Sequence, residues 1–251
     1  MEAANTNITA AKVDAGQGWQ WIVAGFALFR KAPLIWIVLS IVLLVIAVVM
    51  GFIPLLGQLA FNLLSPVFLA GLMAGCRALE KDEELEIGHL FAGFQKNATP
   101  LVTIGGVYLV SQLLIIGVAM LIGGGTMLDI LMGKKEMDAP AVLEMAGGMV
   151  LAVLVAAALT MPLMMAIWFA PPLIYFKGLA PLAAMRLSFS ACLKNIMPFL
   201  IYGLMLMVLF VIAAIPFMLG LFVMVPVLFT SIYASYKDIF EQPGRADQPQ
   251  A

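Results

Sequence analysis

Six apolar runs, at 33–52, 58–79, 100–122, 146–169, 198–219 and 221–236, dominate this chain, and none carries Asp, Glu, Lys, Arg or His at central depth. A helix needs roughly 20 apolar residues to cross the hydrocarbon of a bilayer, and only helices and closed barrels satisfy their backbone polar groups there. The runs lack the residue-by-residue alternation of a barrel strand. The expected fold is therefore all-α, a polytopic membrane helical bundle with six transmembrane helices. Composition agrees: 64% of the residues are hydrophobic and 11% charged, against about half and about a quarter in soluble domains. Water is not the solvent for most of this chain.

One pattern recurs three times, a basic residue followed by a proline that opens an apolar run. It is seen in Phe29-Arg30-Lys31-Ala32-Pro33, Phe94-Gln95-Lys96-Asn97-Ala98-Thr99-Pro100 and Leu193-Lys194-Asn195-Ile196-Met197-Pro198. Proline suits the first helical turn, where its missing N–H costs nothing. The repeat divides the chain into three units, 16–79, 83–169 and 179–240, each a short leading helix followed by a membrane hairpin. They form one transmembrane domain, 16–240, between a flexible segment at 1–15 and a Pro-, Gln- and Gly-rich tail at 241–251 that is expected to be disordered. Pro66, Pro162 and Pro226 fall inside spans and should kink them. Residues 1–18 lack the basic-then-apolar pattern of a cleaved signal peptide.

Basic residues are segregated. With the N-terminus inside, the inner segments hold Lys12, Arg30, Lys31, Arg77, Lys81, Lys96, Lys177, Arg186, Lys194, Lys237 and Arg245, and the outer side only Lys134 and Lys135. Such a bias predicts a cytoplasmic location for both termini. Cys76 and Cys192 lie near inner span ends and read as free thiols in a reducing compartment. A net charge of −1 gives no reason to expect nucleic acid as a partner.

The leading helices carry the second informative pattern. Ile87, Leu90, Phe91 and Phe94 share one face of the middle one, and Leu182, Met185, Phe189, Cys192 and Leu193 form a stripe on the third, with Arg186, Ser190 and Lys194 opposite. Such helices lie in the headgroup plane with their cations toward lipid phosphates. The first, Trp19 to Phe29, is apolar nearly all round and is expected to sit deeper or pack on the bundle. Arg30, Lys31, Lys96, Arg186 and Lys194 are the candidate contacts to lipid headgroups.

The run Phe169-Ala170-Pro171-Pro172-Leu173-Ile174-Tyr175-Phe176-Lys177-Gly178-Leu179-Ala180-Pro181, continuing through Met185, Ser188-Phe189-Ser190 and Lys194-Asn195, resembles the inner loop of an uncharacterised bacterial six-span integral-membrane family. That family is distantly similar to the membrane domain fused to some bacterial glycerophosphodiester phosphodiesterases. The resemblance covers most of residues 16–240 in layout, with its specific residues confined largely to this loop. It implies an inner-membrane location and the helix-plus-hairpin layout, and it brings no catalytic residues.

Few residues offer chemistry. No ionisable group sits at central depth, which disfavours a proton-coupled transporter. Gln58, Asn62 and Ser65 in the second span, with Thr103, Ser111 and Gln112 in the third, form either an intramembrane polar cluster or ordinary interhelical hydrogen bonds. His89, the sole histidine, has no paired ligand motif, so no metal or cofactor is expected. The acidic run Glu80, Asp82, Glu83, Glu84 and Glu86 reads as a solvated loop. Asp138-Ala139-Pro140 is a helix N-terminal signal. Gly71 and Gly75 serve close helix contact equally well within one chain or in a homo-oligomer.

Two functions from different classes follow. The first is a non-enzymatic membrane scaffold or accessory protein, with membrane lipids and a membrane-protein partner contacted by the inner leading helices. The alternative is a permease or exporter of a small apolar or lipid-like solute, moving through a bundle opened at Pro66, Pro162 and Pro226.

Overall fold

The computed structural model describes residues 8–241 apart from 135 and 137. All regular structure among the described residues is helical: α1 (Gln17–Lys31), α2 (Pro33–Gly51), α3 (Leu56–Glu80), a 3₁₀ turn (Ile87–Phe91) running into α4 (Ala92–Gln95), α5 (Ala98–Gly123), α6 (Gly125–Leu131), α7 (Ala139–Trp168), α8 (Ala170–Lys177), α9 (Pro181–Lys194), α10 (Ile196–Ala214) and α11 (Leu221–Phe240). The boundaries have local causes. Pro33 opens α2, and the Asp138 carboxylate caps α7 by accepting the Ala141 N–H at 2.8 Å. Gly178, at φ +66°, ends α8 in the left-handed conformation that glycine tolerates best. The chain is an all-α polytopic membrane bundle.

By length and composition, five helices among the described residues suffice to cross a membrane: Pro33–Gly51, Leu56–Glu80, Ala98–Gly123, Ala139–Lys177 and Ile196–Ala214. The sixth expected span lies in α11, which has the length, 20 residues, but whose second half carries Thr230, Ser231, Tyr233, Ser235, Tyr236, Lys237 and Asp238. Protein rather than lipid covers that half: Thr230, Ser231, Tyr233, Ser235 and Tyr236 are fully buried. A helix shielded by its neighbours has no need of an apolar surface. α11 still returns the chain to the end of the bundle where it began, since Ala11 N–H bonds the Ile239 carbonyl at 2.9 Å.

Packing links the three repeats in a ring. α1 lies against α10 and α11, the 3₁₀ turn and α4 against α3, and α9 against α7. Each leading element thus rests on the hairpin before its own, and α1 closes the circle on the last. Glycines make two of these approaches close. A Cβ on Gly25 would come within 2.6 Å of the Ser231 nitrogen, and one on Gly71 within 2.4 Å of the Leu90 carbonyl oxygen. At the third contact the Ser188 hydroxyl donates to the Met165 carbonyl at 2.7 Å and accepts the Phe169 N–H at 2.9 Å.

The core sits at one end of this ring, the end rich in basic residues. Trp21, Trp36, Phe169, Tyr202, Tyr233 and Tyr236 are all buried there, with Trp21 edge-on to Tyr202 at 5.8 Å and Tyr236 5.6 Å from Phe240. Away from that end protein covers less of the surface, and only 6% of the apolar window of the Ala139–Lys177 span is buried. Lipid tails are as apolar as leucine, so nothing drives those surfaces together.

The stretch expected to be flexible is partly tied down. Asn195 accepts the Val13 N–H through Oδ1 and donates from Nδ2 to the Ala11 carbonyl, both at 2.9 Å, while Lys194 Nζ reaches the Ala10 carbonyl at 2.8 Å. Ala10, Ala11 and Val13 are buried beneath this clasp. Its pairs are far apart in sequence, and no local pattern announces them. Of the tail expected to be disordered, 241–251, Glu241 is placed and pairs with Arg77, while 242–251, like residues 1–7, lie outside the described residues.

Candidate functional site at the basic end

Three helices deliver a charged network to the foot of the bundle. Arg77 on α3 bonds the Tyr233 hydroxyl on α11 at 3.1 Å, pairs with Glu241, and lies with its guanidinium carbon 3.8 Å from the centroid of the Phe176 ring on α8. The Tyr233 hydroxyl donates to Glu80 at 2.7 Å, Glu80 pairs with Lys237, and Lys177 lies 3.7 Å from Glu241. Trp21 of α1 donates from Nε1 to Asp238 at 2.9 Å. The network follows from where helices end. α3, α8 and α11 finish at the same level, and cations in a last turn complement the negative end of the helix dipole.

Beside the network, Lys31 donates to the Leu79 carbonyl at 2.8 Å and pairs with Asp82 at 2.6 Å. The Lys31 ammonium, first by hydrogen bond and then by charge, holds the Asp82 carboxyl below its usual range. Of the candidate headgroup contacts, Arg30 and Arg186 are exposed, and Lys96 is exposed with its ammonium 5.1 Å from the centroid of the Tyr175 ring. Lys31 and Lys194 have protein partners, Asp82 and the Ala10 carbonyl. The five cations are spread around the foot of the ring, on α1, α9 and the α4–α5 junction, and do not converge.

The leading elements turn large apolar side chains outward. Trp19, Val23 and Phe26 of α1, Ile87, Phe91 and Phe94 of the middle element, and Leu182 and Leu193 of α9 are exposed. The stripe expected on α9 divides: Ala184, Ser188, Ala191 and Cys192 are buried, whereas Leu182 and Leu193 face away from protein and Met185 and Phe189 are half-buried. Small residues let the backbones approach, and in a lipid surround the large ones gain nothing by turning in. On the middle element Leu90 is likewise buried alone of its expected set.

The intramembrane polar residues do not assemble. Asn62 donates to the Gln58 carbonyl, Ser65 to the Asn62 carbonyl and Thr103 to the Thr99 carbonyl, at 2.9, 3.0 and 2.9 Å. Each of these bonds stays within its own helix, a local alternative open to short polar side chains. Gln58 and Thr103 are exposed, and Ser111 and Gln112 half-buried. Between the spans lies an apolar crevice of about 310 Å³, lined by Leu43, Ser65, Leu69, Met164, Trp168 and Ile232 among others.

A second, polar pocket of about 580 Å³ opens at the foot between α3, the 3₁₀ turn, α4 and α8, with Arg77, Glu83, Glu86, His89, Lys96 and Tyr175 in its wall. His89 is held by a reciprocal cap, its Nδ1 accepting the Glu86 N–H at 3.0 Å while the Glu86 carboxylate accepts the His89 N–H. No three His, Cys, Asp or Glu side chains among the described residues converge as a metal set. Cys76 and Cys192 are free and buried, and burial pushes the Cys192 thiol up to about 12.

No protein-family model matches the chain, and no solved structure matches it. A probable inner membrane protein of Burkholderia thailandensis is 33% identical over 262 residues, an alignment covering 95% of this chain and 97% of that protein. None of these comparisons supports a link to phosphodiesterase-fused membrane domains. An integral membrane bundle that matches this protein from end to end at such identity belongs to the same family as the probable inner membrane protein of Burkholderia thailandensis.

Proposed function

We propose that this chain is a non-enzymatic scaffold or accessory protein of the bacterial inner membrane. Its three leading elements rest in the cytoplasmic headgroup layer and bind anionic lipids, offering that face to a membrane-protein partner. One observation carries this reading: all three leading elements expose large apolar side chains, and each has an exposed cation on or beside it, Arg30, Lys96 or Arg186. Such an element sinks its apolar face toward the acyl chains and holds its cation near the phosphates, each basic residue near an anionic surface being worth about 1 kcal/mol. The basic bias among the connecting segments supports the cytoplasmic assignment of this end, and the relative's name supports the membrane.

The test is lipid association of the reconstituted protein in vesicles of defined composition. Arg30→Gln combined with Arg186→Gln is expected to reduce the preference for an anionic over a neutral lipid by roughly thirtyfold, and the wild-type preference should weaken with salt. An unchanged preference overturns the reading. Lys31 and Lys194 are unsuited to this test because each has a protein partner.

The apolar crevice supports the alternative, a permease or exporter of a small apolar or lipid-like solute. Its lining draws on α3, α7 and α11 near Pro66 and Pro171. Solute flux in loaded proteoliposomes that disappears in Leu69→Trp would favour it over the scaffold.

A further inference from the structure

The polar pocket at the foot keeps opposite charges apart. Its cations are held by aromatic rings, with the Lys96 ammonium 5.1 Å from the Tyr175 centroid and the Arg77 guanidinium 3.8 Å from that of Phe176. A ring face orients a cation without neutralising it. Its lining also includes Glu83 and Glu86, from the loop after α3 and the start of the 3₁₀ turn. Arg77 is balanced by Glu241, and Glu86 is occupied in capping the 3₁₀ turn. Glu83 and Lys96 line the same pocket with no ion pair joining them to each other or to a third residue among those described.

We propose that this pocket binds a phosphoryl–ammonium zwitterion, the chemistry of a phosphoethanolamine lipid headgroup. The phosphate lies against Lys96 and the outer edge of Arg77, and the ammonium against Glu83. A bare phosphate would meet the repulsion of both glutamates, and a simple cation that of Lys96 and Arg77. A ligand carrying both charges meets neither penalty, and discrimination of this kind comes as much from repelling wrong partners as from attracting the right one. The exposed Phe91 and Phe94 on the adjoining helix place the pocket at the level where headgroup gives way to acyl chain. The inference rests on the lipid-contacting role of the leading elements, and names the headgroup at one of them.

The full chain is reconstituted in nanodiscs of equal phosphatidylethanolamine and phosphatidylglycerol, extracted gently, and its retained lipids are counted by native mass spectrometry. Wild type should retain the ethanolamine lipid in excess. Glu83→Gln should abolish that excess, because the ammonium loses its partner and the repulsion toward phosphatidylglycerol is relieved, and Lys96→Gln should lower retention of the ethanolamine lipid by on the order of tenfold, about 1.4 kcal/mol. Glu83 is exposed and caps no helix, so its variant should fold normally, which thermal unfolding checks. Displacement of the retained lipid by soluble O-phosphoethanolamine, with the same dependence on Glu83 and Lys96, would assign the site to the free zwitterion; no displacement would assign it to the lipid. Equal retention of both lipids by wild type, or an unaltered excess in Glu83→Gln, overturns the proposal. Arg30→Gln with Arg186→Gln reports separately on the broader role, so that role can stand while the pocket fails.

Discussion

At the scale of single residues, charge is organised by pairing rather than by number. Arg77 holds two hydrogen-bonding partners and a ring face at once, and is only partly exposed, so its loss leaves Glu241 with Lys177 alone and the Tyr233 hydroxyl with Glu80 alone. Hydrogen bonds to charged groups contribute about 1.5–3 kcal/mol. Arg77→Gln is expected to lower stability in detergent by about that amount, read as a fall in the unfolding midpoint. Lys31 and Asp82 lie at the surface, and their effect appears in pH. The Asp82 carboxyl is depressed by Lys31, so the pair's contribution is fully present above the ordinary value of 3.8 and is lost as pH falls through the lower folded value. Lys31→Gln should return the Asp82 titration to its ordinary position, measured by NMR of the carboxyl carbon. Cys192 is buried with its thiol pushed up to about 12, so maleimide at neutral pH should label it only after unfolding.

Elements show how close the backbones come. Gly71 faces the Leu90 carbonyl with no room for a Cβ, and the obstacle is backbone rather than the end of a flexible side chain. Gly71→Ala should therefore push the 3₁₀ turn off α3, at a cost of about 1–3 kcal/mol, and raise proteolysis of the loop at 81–86. Gly117, which has open space around it, is the control, and its alanine variant should leave cleavage unchanged. The Gly71–Gly75 spacing was visible in the sequence, yet it suited a neighbouring copy as well as a neighbouring element. Only the fold shows Gly71 spent within the chain, against His89 and Leu90.

For the molecule as a whole, the ring closes where α1 meets α10 and α11, and the clasp of Ala11 and Val13 on Asn195 fastens the same seam. Asn195 is buried and makes four hydrogen bonds through its side chain and backbone carbonyl, to Val13, Ala11, Ala191 and Phe199. Asn195→Ala leaves the Val13 N–H and Ala11 carbonyl without their side-chain partner, at about 1–3 kcal/mol. Hydrogen exchange at residues 10–13 should speed up in that variant while α5 and α7 keep their protection.

The linear chain alone settled what depends on solvent and spacing: membrane spans, the three basic-proline junctions, the capped start of α7 and the one-sided distribution of cations. Each is a local or compositional property, written in consecutive residues. Sequence also marked which leading segments are amphipathic, but not which face turns inward. That depends on backbone approach, and in lipid the small side chains of Ala184, Ser188 and Ala191 take the protein side that leucine would take in water. The burial of the polar second half of α11, the charged network around Arg77 and the separation of Lys96 from Glu83 were set only by folding. They join residues as far apart as Arg77 and Glu241, and no periodicity carries information across that distance. Burial by neighbours, not hydropathy, decided that α11 belongs to the bundle.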